Sequence, residues 1–262
     1  QYGFKGAMIH GLTHGAFCDE KRFWPIFERA QALDVPIYIH PAIPHKAVIE
    51  AYYKDYPALI RGAWGFTVET ATQGIRLIMS GVFDTYPRLK IIMGHLGESL
   101  PFNLWRCDKI INRDVPMARP FRDYFCDHFW ITTSGNFSHP ALLCSVMEMG
   151  VDRIMFSIDW PYSSNVEGRE FVDGAPLSKE DRLKILGGNF LRVMREVETT
   201  AQRLQAERLP GDRHHEHEGL RAEMHHRRFE PGPGNLDRGT YGGGDGSGPA
   251  RRGRREAPSI LG

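Results

Sequence analysis

Short apolar runs alternate with longer amphipathic stretches along the first 199 residues of the chain. The runs have the near-continuous hydrophobicity of strands that are buried on both faces. They lie at residues 6–10, 36–39, 89–93, 129–133 and 153–157. Helical spacing of apolar side chains predicts helices at about residues 19–34, 67–83, 100–112, 140–149 and 178–197. The alternation predicts an α/β protein in which helices cover a parallel sheet.

Two parallel architectures fit this alternation, a doubly wound sheet and a barrel. No Gly-x-Gly-x-x-Gly segment follows a predicted strand, so the sequence lacks the main motif of a doubly wound sheet that binds a dinucleotide. Ionisable residues stand at the C-terminal ends of strands, where barrel active sites are built. We therefore predict a (β/α)8 TIM-barrel type, present in part as about five C-terminal units. The chain opens on Gln1 without Met, and we expect roughly three units to precede it.

The composition changes near residue 200. The segment 201–262 contains no lysine and is rich in Arg, Gly, His and Pro. Too few apolar side chains remain there to offset the entropy of ordering the chain. We predict a partial barrel domain at 1–199 and a disordered low-complexity tail at 200–262, which is either genuine or the product of a shifted reading frame. RNA binding through the Arg/Gly tracts and metal binding through the His cluster at 213–217 are the alternatives.

Charge and cysteine content narrow the possible partners. The chain has 33 Lys and Arg against 32 Asp and Glu, so no basic field indicates nucleic acid. No apolar run reaches the length of a membrane span, and no signal peptide is visible. The cysteines form no Cys-x-x-Cys pair; they are Cys18, Cys107, Cys126 and Cys144. We expect a cytoplasmic protein with reduced thiols that binds neither nucleic acid nor membrane.

Three polar residues each follow a predicted strand: His40, His95 and Asp159. Parallel strands in a barrel bring their C-terminal ends to one rim, so residues far apart in sequence converge there. Imidazole and carboxylate are suitable ligands for Zn²⁺ or Mn²⁺. A single histidine at a strand end is more often structural, and a lone aspartate often caps a turn. The coincidence of all three predicts a metal site at the rim.

Several segments also resemble one known family. They are Gly3–Gly6, Val35–Pro41, Ala63–Thr72, Pro87–Glu98, Thr133–Phe137 and Phe156–Tyr162. Over about residues 1–199 and in the same order, these segments resemble the amidohydrolase-2 family, the group of aminocarboxymuconate semialdehyde decarboxylase. The branch that looks closest is that of the γ-resorcylate and 2,3-dihydroxybenzoate decarboxylases.

The resemblance implies a set of roles. His40 and Asp159 would bind a divalent metal, Zn²⁺ or Mn²⁺, and Asp159 would also deliver a proton to the substrate carbon that carries the carboxylate. His95 and Glu98 would form an acid–base pair, although an acid at a helix start can also serve the helix dipole alone. The implied reaction is the non-oxidative decarboxylation of a hydroxybenzoate-type aromatic acid, with release of CO₂ and without an organic cofactor. Family members are usually homo-dimers or homo-tetramers.

Five aromatic residues could form the walls of a site for an aromatic ring, although each could equally be packing. They are Trp64, Phe66, Phe137, Trp160 and Tyr162. The family's first strand supplies further ligands through a Glu-x-Glu, Glu-x-His or His-x-His-like motif, and no such strand precedes Gly6. His10 and His14 are predicted to be ordinary loop histidines at the rim. Hydrolysis of an amide or lactone on the same barrel, or an inactive truncated fragment, are the alternative functions.

Overall fold

A single parallel sheet organises the protein. The computed structural model describes residues 3–207. The sheet contains β1 (Ala7–His10), β2 (Ile37–His40), β3 (Ile91–Met93), β4 (Phe129–Thr132) and β5 (Ile154–Met155). Each strand pairs in parallel with its neighbour in sequence, in the order β1-β2-β3-β4-β5. The structure therefore confirms the predicted parallel strands, and the C-terminal ends of the five described strands lie at the same edge of the sheet.

Helices connect and cover these strands. The α-helical segments are α1 (Trp24–Leu33), α2 (Lys46–Val48), α3 (Gly65–Met79), α4 (Val82–Thr85), α5 (His95–Glu98), α6 (Leu100–Asp114), α7 (Phe121–His128), α8 (His139–Met149), α9 (Asn165–Asp173), α10 (Lys179–Leu183) and α11 (Asn189–Glu207). Short 3-10 turns lie at Lys21–Phe23, Pro57–Leu59 and Val151–Arg153, and π-helical turns at Ile49–Tyr53 and Lys184–Gly188. Alternating strands and helices, with the strands paired in sequential order as in the wall of a barrel, confirm the predicted fold class, the (β/α)-barrel type.

The core lies between the central strands and the helices. Ile37, Ile39, Ile91 and Ile131 are almost fully buried, and every residue of β4 is buried. By contrast, β1 is an edge strand whose residues are largely exposed. Burial of β-branched side chains on both faces explains why the apolar runs gave the strand positions correctly.

Two predicted helices differ from the structure. The predicted helix at 67–83 ends at Met79, because Gly81 adopts a left-handed conformation with φ of 78° and a new helix, α4, follows it. The predicted helix at 178–197 divides into α10, a π-helical turn and α11, and α11 continues to Glu207. The first residues of the predicted tail are therefore helical. The tail predictions for residues 208–262 lie outside the described residues.

Local sequence signals account for individual helix boundaries. Ser178 caps α10, since its Oγ accepts a hydrogen bond from the backbone N–H of Asp181 at 3.0 Å. The same hydroxyl donates to the Asp181 carboxylate at 2.8 Å. Helices α7 and α9 were not predicted from the sequence. Between residues 3 and 207, no helix combines the length and hydrophobicity that crossing a membrane requires.

Candidate active site

The C-terminal ends of the strands open into one cavity of about 790 Å³, within the range typical of small-molecule sites. His40, His95 and Asp159 all line it, as does Glu98. The structure thus places the residues proposed for the metal site and for the acid–base pair in the same cavity. His40, His95 and Asp159 come from three different strand–helix units, and Glu98 shares the unit of His95.

His40 is the last residue of β2. Its Nδ1 donates a hydrogen bond to the backbone carbonyl of Pro41 at 2.8 Å. Because a carbonyl oxygen can only accept, Nδ1 carries a proton, and in the neutral ring Nε2 therefore keeps its lone pair. Backbone carbonyls commonly orient metal-binding histidines in this way. His40 therefore has the tautomer that a metal ligand needs.

His95 and Glu98 lie in α5, a single turn directly after β3. Leu96 and Gly97 between them have φ of 54° and 76°, so the turn is left-handed and folds the two side chains together. His95 Nδ1 is 2.6 Å from Glu98 Oε1, and the hydroxyl of Thr67 donates to Glu98 Oε2 at 2.8 Å. Glu98 is only 2% exposed, and these hydrogen bonds compensate its burial.

The charge of Glu98 also acts on the imidazole. Burial would lower the pKa of His95, but the hydrogen bond and the charge of Glu98, with the charge of Asp159, outweigh burial and raise it. With Glu98 at Nδ1, the Nε2 atom of His95 faces Asp159, and the distance from Nε2 to Asp159 Oδ2 is 3.9 Å. The buried carboxylate of Glu98, the imidazole of His95 and the carboxylate of Asp159 therefore lie in a row in space.

Asp159 follows β5 in a tight turn. Its φ is 66°, and its backbone carbonyl accepts hydrogen bonds from the N–H groups of Tyr162 and Ser163 at 2.8 and 3.1 Å. Aspartate tolerates left-handed backbone better than most residues. The turn therefore holds the carboxylate at the cavity instead of letting the strand continue.

A group of hydroxyls that the sequence analysis missed lies at the strand ends. Tyr38 Oη is 2.9 Å from Thr132 Oγ1 and 3.1 Å from Ser134 Oγ, and Ser134 Oγ is 2.9 Å from Ser157 Oγ. Burial raises the pKa of Tyr38, so the phenol stays protonated as a hydrogen-bond donor. The signal was present in the sequence, since polar residues interrupt apolar strands at these positions. These hydrogen bonds join β2, β4 and the segment after β5.

His10 also belongs to this cavity, which corrects the prediction that it is an ordinary loop histidine at the rim. It is the last residue of β1, in register with His40 on β2, and the two ring centroids are 4.6 Å apart. Burial, followed by the electrostatic effect of the neighbouring His40, lowers the pKa of His10. His14, by contrast, is not among the residues that line the cavity.

The aromatic prediction needs partial correction. Phe66 and Tyr162 line the cavity, whereas Trp64, Phe137 and Trp160 do not. Trp64 borders a separate groove between α3 and α6. Phe137 packs on Phe171, with ring centroids 5.4 Å apart, and Trp160 is largely exposed. Sequence position next to a site residue did not determine the direction of these side chains.

The donor atoms at the cavity fit a divalent transition metal in their chemistry. His40 presents a free Nε2, and Asp159 presents a carboxylate to the same space. Within residues 3–207, no group of three or more His, Cys, Asp or Glu is already arranged to hold an ion. His40 and Asp159 are therefore the two residues of the predicted set that would hold it.

Known proteins resemble this chain in sequence and in fold. The chain is 39% identical to a γ-resorcylate decarboxylase of Polaromonas sp. (strain JS666) over 202 residues, 72% of this chain and 61% of that protein. A crystal structure of dihydroxybenzoic acid decarboxylase from Polaromonas sp. JS666, with bound manganese and the inhibitor 2-nitroresorcinol, aligns with a TM-score of 0.70 at 38% identity. That alignment covers 74% of this chain and 61% of the other.

A third relative has a different aromatic substrate in its name. The structure of 5-carboxyvanillate decarboxylase from Sphingomonas paucimobilis aligns with a TM-score of 0.70 at 36% identity, covering 73% of this chain and 58% of that one. This chain thus spans about three fifths of the length of the curated relatives it matches.

The sequence model of one family, described as amidohydrolase, matches residues 1–195. That stretch contains all five strands and every residue that lines the cavity. On this evidence the chain belongs to the amidohydrolase family, in agreement with the resemblance in its sequence.

Proposed function

We propose that the protein of which this chain is part catalyses the metal-dependent, non-oxidative decarboxylation of a hydroxylated aromatic carboxylate. The observation that carries the proposal is the convergence of His40, His95 and Asp159 on one cavity, with His95 paired to Glu98. Similarity to γ-resorcylate and 5-carboxyvanillate decarboxylases supports this reaction in preference to hydrolysis.

His40 and Asp159 would hold a divalent ion, zinc or manganese. When bound, the ion would offset the negative charge of the substrate's oxygens and fix their position. Manganese is present in a related decarboxylase structure, which supports a divalent metal here. We propose that no organic cofactor takes part, because the reaction needs only a proton transfer and the loss of CO₂.

Asp159 would deliver a proton to the ring carbon that carries the carboxylate. The new C–H bond interrupts the aromatic ring; the bond to the carboxylate then breaks, CO₂ leaves, and the electron pair restores aromaticity. His95 Nε2 faces Asp159 at 3.9 Å, so His95 would help to return a proton to that carboxylate. Glu98 would hold the imidazole in place and keep its Nδ1 protonated.

The rest of the cavity would bind the aromatic acid. Phe66 and Tyr162 offer ring surfaces, and Arg61 offers a cation for the carboxylate or a phenolate. A cavity of about 790 Å³ accommodates a single substituted benzene ring. The homo-dimer or homo-tetramer, the cytoplasmic location and the lack of nucleic-acid and membrane binding remain predictions from the sequence.

The test is an assay of CO₂ release from γ-resorcylate and from 5-carboxyvanillate, each with Mn²⁺ or Zn²⁺, by the full-length protein. We expect turnover of at least one acid, lost in Asp159→Asn and retained in Asp55→Asn, a change at an exposed aspartate. Hydrolysis of lactones or amides, with no release of CO₂, would refute the proposal.

A further inference from the structure

We infer that His10 is an additional metal ligand of this chain, donating to the same divalent ion as His40 and Asp159 and favouring Zn²⁺ over Mn²⁺. The inference rests on the proposed function only in taking His40 and Asp159 as ligands. It adds a residue that the family resemblance did not supply.

The strand register places the two imidazoles side by side. His10 and His40 are paired residues on neighbouring parallel strands, so their side chains leave the sheet on the same face. Both line the same cavity, at the C-terminal ends of their strands. No three such donors in residues 3–207 are already arranged around an ion, so an ion would have to draw the side chains of His10, His40 and Asp159 together.

The distance between the rings fits joint ligation. A Zn–N bond of about 2.0–2.1 Å puts the metal about 3.2 Å from the centre of the imidazole. Two such rings at an angle of about 90–110° have centroids about 4.5–5.2 Å apart. The observed separation of 4.6 Å between His10 and His40 lies in this interval.

The same reasoning separates His95 from the ligand set. The ring centroids of His40 and His95 are 6.4 Å apart, which requires the two rings to lie on nearly opposite sides of an ion. His95 is also hydrogen-bonded to Glu98, as the acid–base role requires. His10 is therefore the better partner of His40.

His10 differs from His128 and His139 in its hydrogen bonding. His128 bonds the carbonyl of Leu89, and His139 bonds that of Phe171. In the described part of the chain, the ring of His10 makes no hydrogen bond to protein. Both of its nitrogens are available, and the side chain is exposed toward the cavity.

A second imidazole changes which ion the site prefers. Imidazole suits zinc, whereas carboxylates and water suit manganese. With His40 and Asp159 alone the site offers one nitrogen and one carboxylate, and His10 adds a second nitrogen. The selectivity of the site for zinc would therefore depend on His10.

The experiment measures metal binding directly and does not need turnover. The 262-residue chain contains five further histidines that could bind metal, at positions 214, 215, 217, 225 and 226. All variants are made with these five changed to asparagine. Zn²⁺ affinity is measured by competition with a chromophoric chelator, Mn²⁺ affinity by electron paramagnetic resonance, and the ligand set by the absorption spectrum of the Co²⁺ form.

We expect His10→Ala to weaken Zn²⁺ binding by at least about tenfold and to change the Co²⁺ spectrum, with a smaller change in Mn²⁺ affinity. His14→Ala is the matched control, a nearby histidine outside the cavity, and should leave all three measurements unchanged. Circular dichroism and metal-free thermal unfolding of His10→Ala verify that the fold is intact.

The outcomes distinguish this inference from the proposed function. If His40→Ala abolishes binding while His10→Ala leaves Zn²⁺ affinity and the Co²⁺ spectrum intact, the inference about His10 is wrong and the site stands. Failure of the unsubstituted chain to bind Zn²⁺ also overturns the inference. Zinc binding that depends on His10, without release of CO₂ by the full-length protein, supports the inference and refutes the proposed activity.

Discussion

At the scale of single residues, Glu98 shows how a buried carboxylate depends on its hydrogen bonds. The hydroxyl of Thr67 supplies one of them. Thr67→Val keeps the shape of the side chain but removes the donor, so we expect a loss of about 1–3 kcal/mol in the free energy of unfolding. Urea denaturation at pH 7 measures the loss. Thr67→Ser keeps the hydroxyl and should lose less, and equal losses in both variants would contradict this role.

Glu69 is a second buried carboxylate, and it lacks such compensation. It is 8% exposed, and neither carboxylate oxygen has a hydrogen bond of normal geometry in the described part of the chain. Burial raises the pKa of Glu69 from 4.5 to about 7, and it outweighs the opposing effect of the His45 backbone. Because the folded-state pKa is the higher one, the stability that the neutral acid contributes is complete below about pH 4.5. It is lost as the pH rises to about 7.

Glu69→Gln removes this titration. We expect the variant to be more stable than the unsubstituted chain at pH 8, by at most about 3 kcal/mol, with a much smaller difference at pH 5. Urea unfolding of both proteins at the two pH values, with a chelator present, measures the effect. Glu50→Gln, a change at an exposed glutamate, should leave the pH dependence unaltered. If the Glu69 variant had the same pH dependence as the unsubstituted chain, the carboxyl would not be the titrating group.

The residues of the site differ in how far sequence alone could reveal them. His40, His95 and Asp159 each follow an apolar run, so their position at the cavity could be predicted from local pattern and parallel topology. His10 ends an apolar run too, but its partner is a residue on the next strand, and only the register brings the two together. The direction of an aromatic side chain such as Trp160 depends on the backbone of an irregular turn, which no periodic pattern encodes.

At the scale of elements, the turn α5 shows how local backbone conformation builds the site. His95 and Glu98 are joined by a left-handed turn, which lies between β3 and the correctly predicted helix α6. Gly97 has φ of 76°, and a Cβ there would lie 3.0 Å from atoms of both Ile131 and Pro101. Both the conformation and the packing therefore require glycine.

Gly97→Ala should destabilise the chain by about 1–3 kcal/mol, because alanine is strained in this conformation and meets packed neighbours. Thermal unfolding measures the change. Gly187→Ala is the control, since a Cβ at Gly187 meets nothing within 4 Å and its φ is not in the left-handed region. Equal stability of the Gly97 variant and the control would show that the turn tolerates a side chain.

The regular elements were predicted better than their ends. Strands were located correctly because a buried parallel strand is a short apolar run with few other interpretations. Helix α9 was missed because its surrounding loops obscure a short amphipathic pattern, and the end of α3 was misplaced because a single left-handed residue, Gly81, stops a helix without changing the apolar spacing. Boundaries thus depend on backbone conformation that the pattern of hydrophobicity does not contain.

At the scale of the whole molecule, the parallel sheet brings together the residues that line the cavity. The residues that line it come from positions 10 to 163, and no two of the candidate metal ligands are close in sequence. Parallel pairing in sequential order brings the C-terminal end of every described strand to the same edge of the sheet. The residues of the site could therefore be predicted as soon as the parallel topology was predicted. The distances between side chains could not, since they depend on register and on the turns after each strand.

Because the site is assembled from several strands of the sheet, an ion bound there should stabilise the whole fold. At an ion concentration of 100 times the dissociation constant, binding stabilises the folded state by about 2.7 kcal/mol. For a domain of this size we expect Zn²⁺ or Mn²⁺ to raise the melting temperature by about 5–10 °C, with reversal by a chelator. Differential scanning calorimetry of the chain whose five C-terminal histidines are replaced measures the shift.

Asp159→Asn should abolish the shift yet keep the metal-free melting temperature, because asparagine tolerates the left-handed conformation that Asp159 adopts. A full shift in Asp159→Asn would mean that the ion stabilises the sheet from another site.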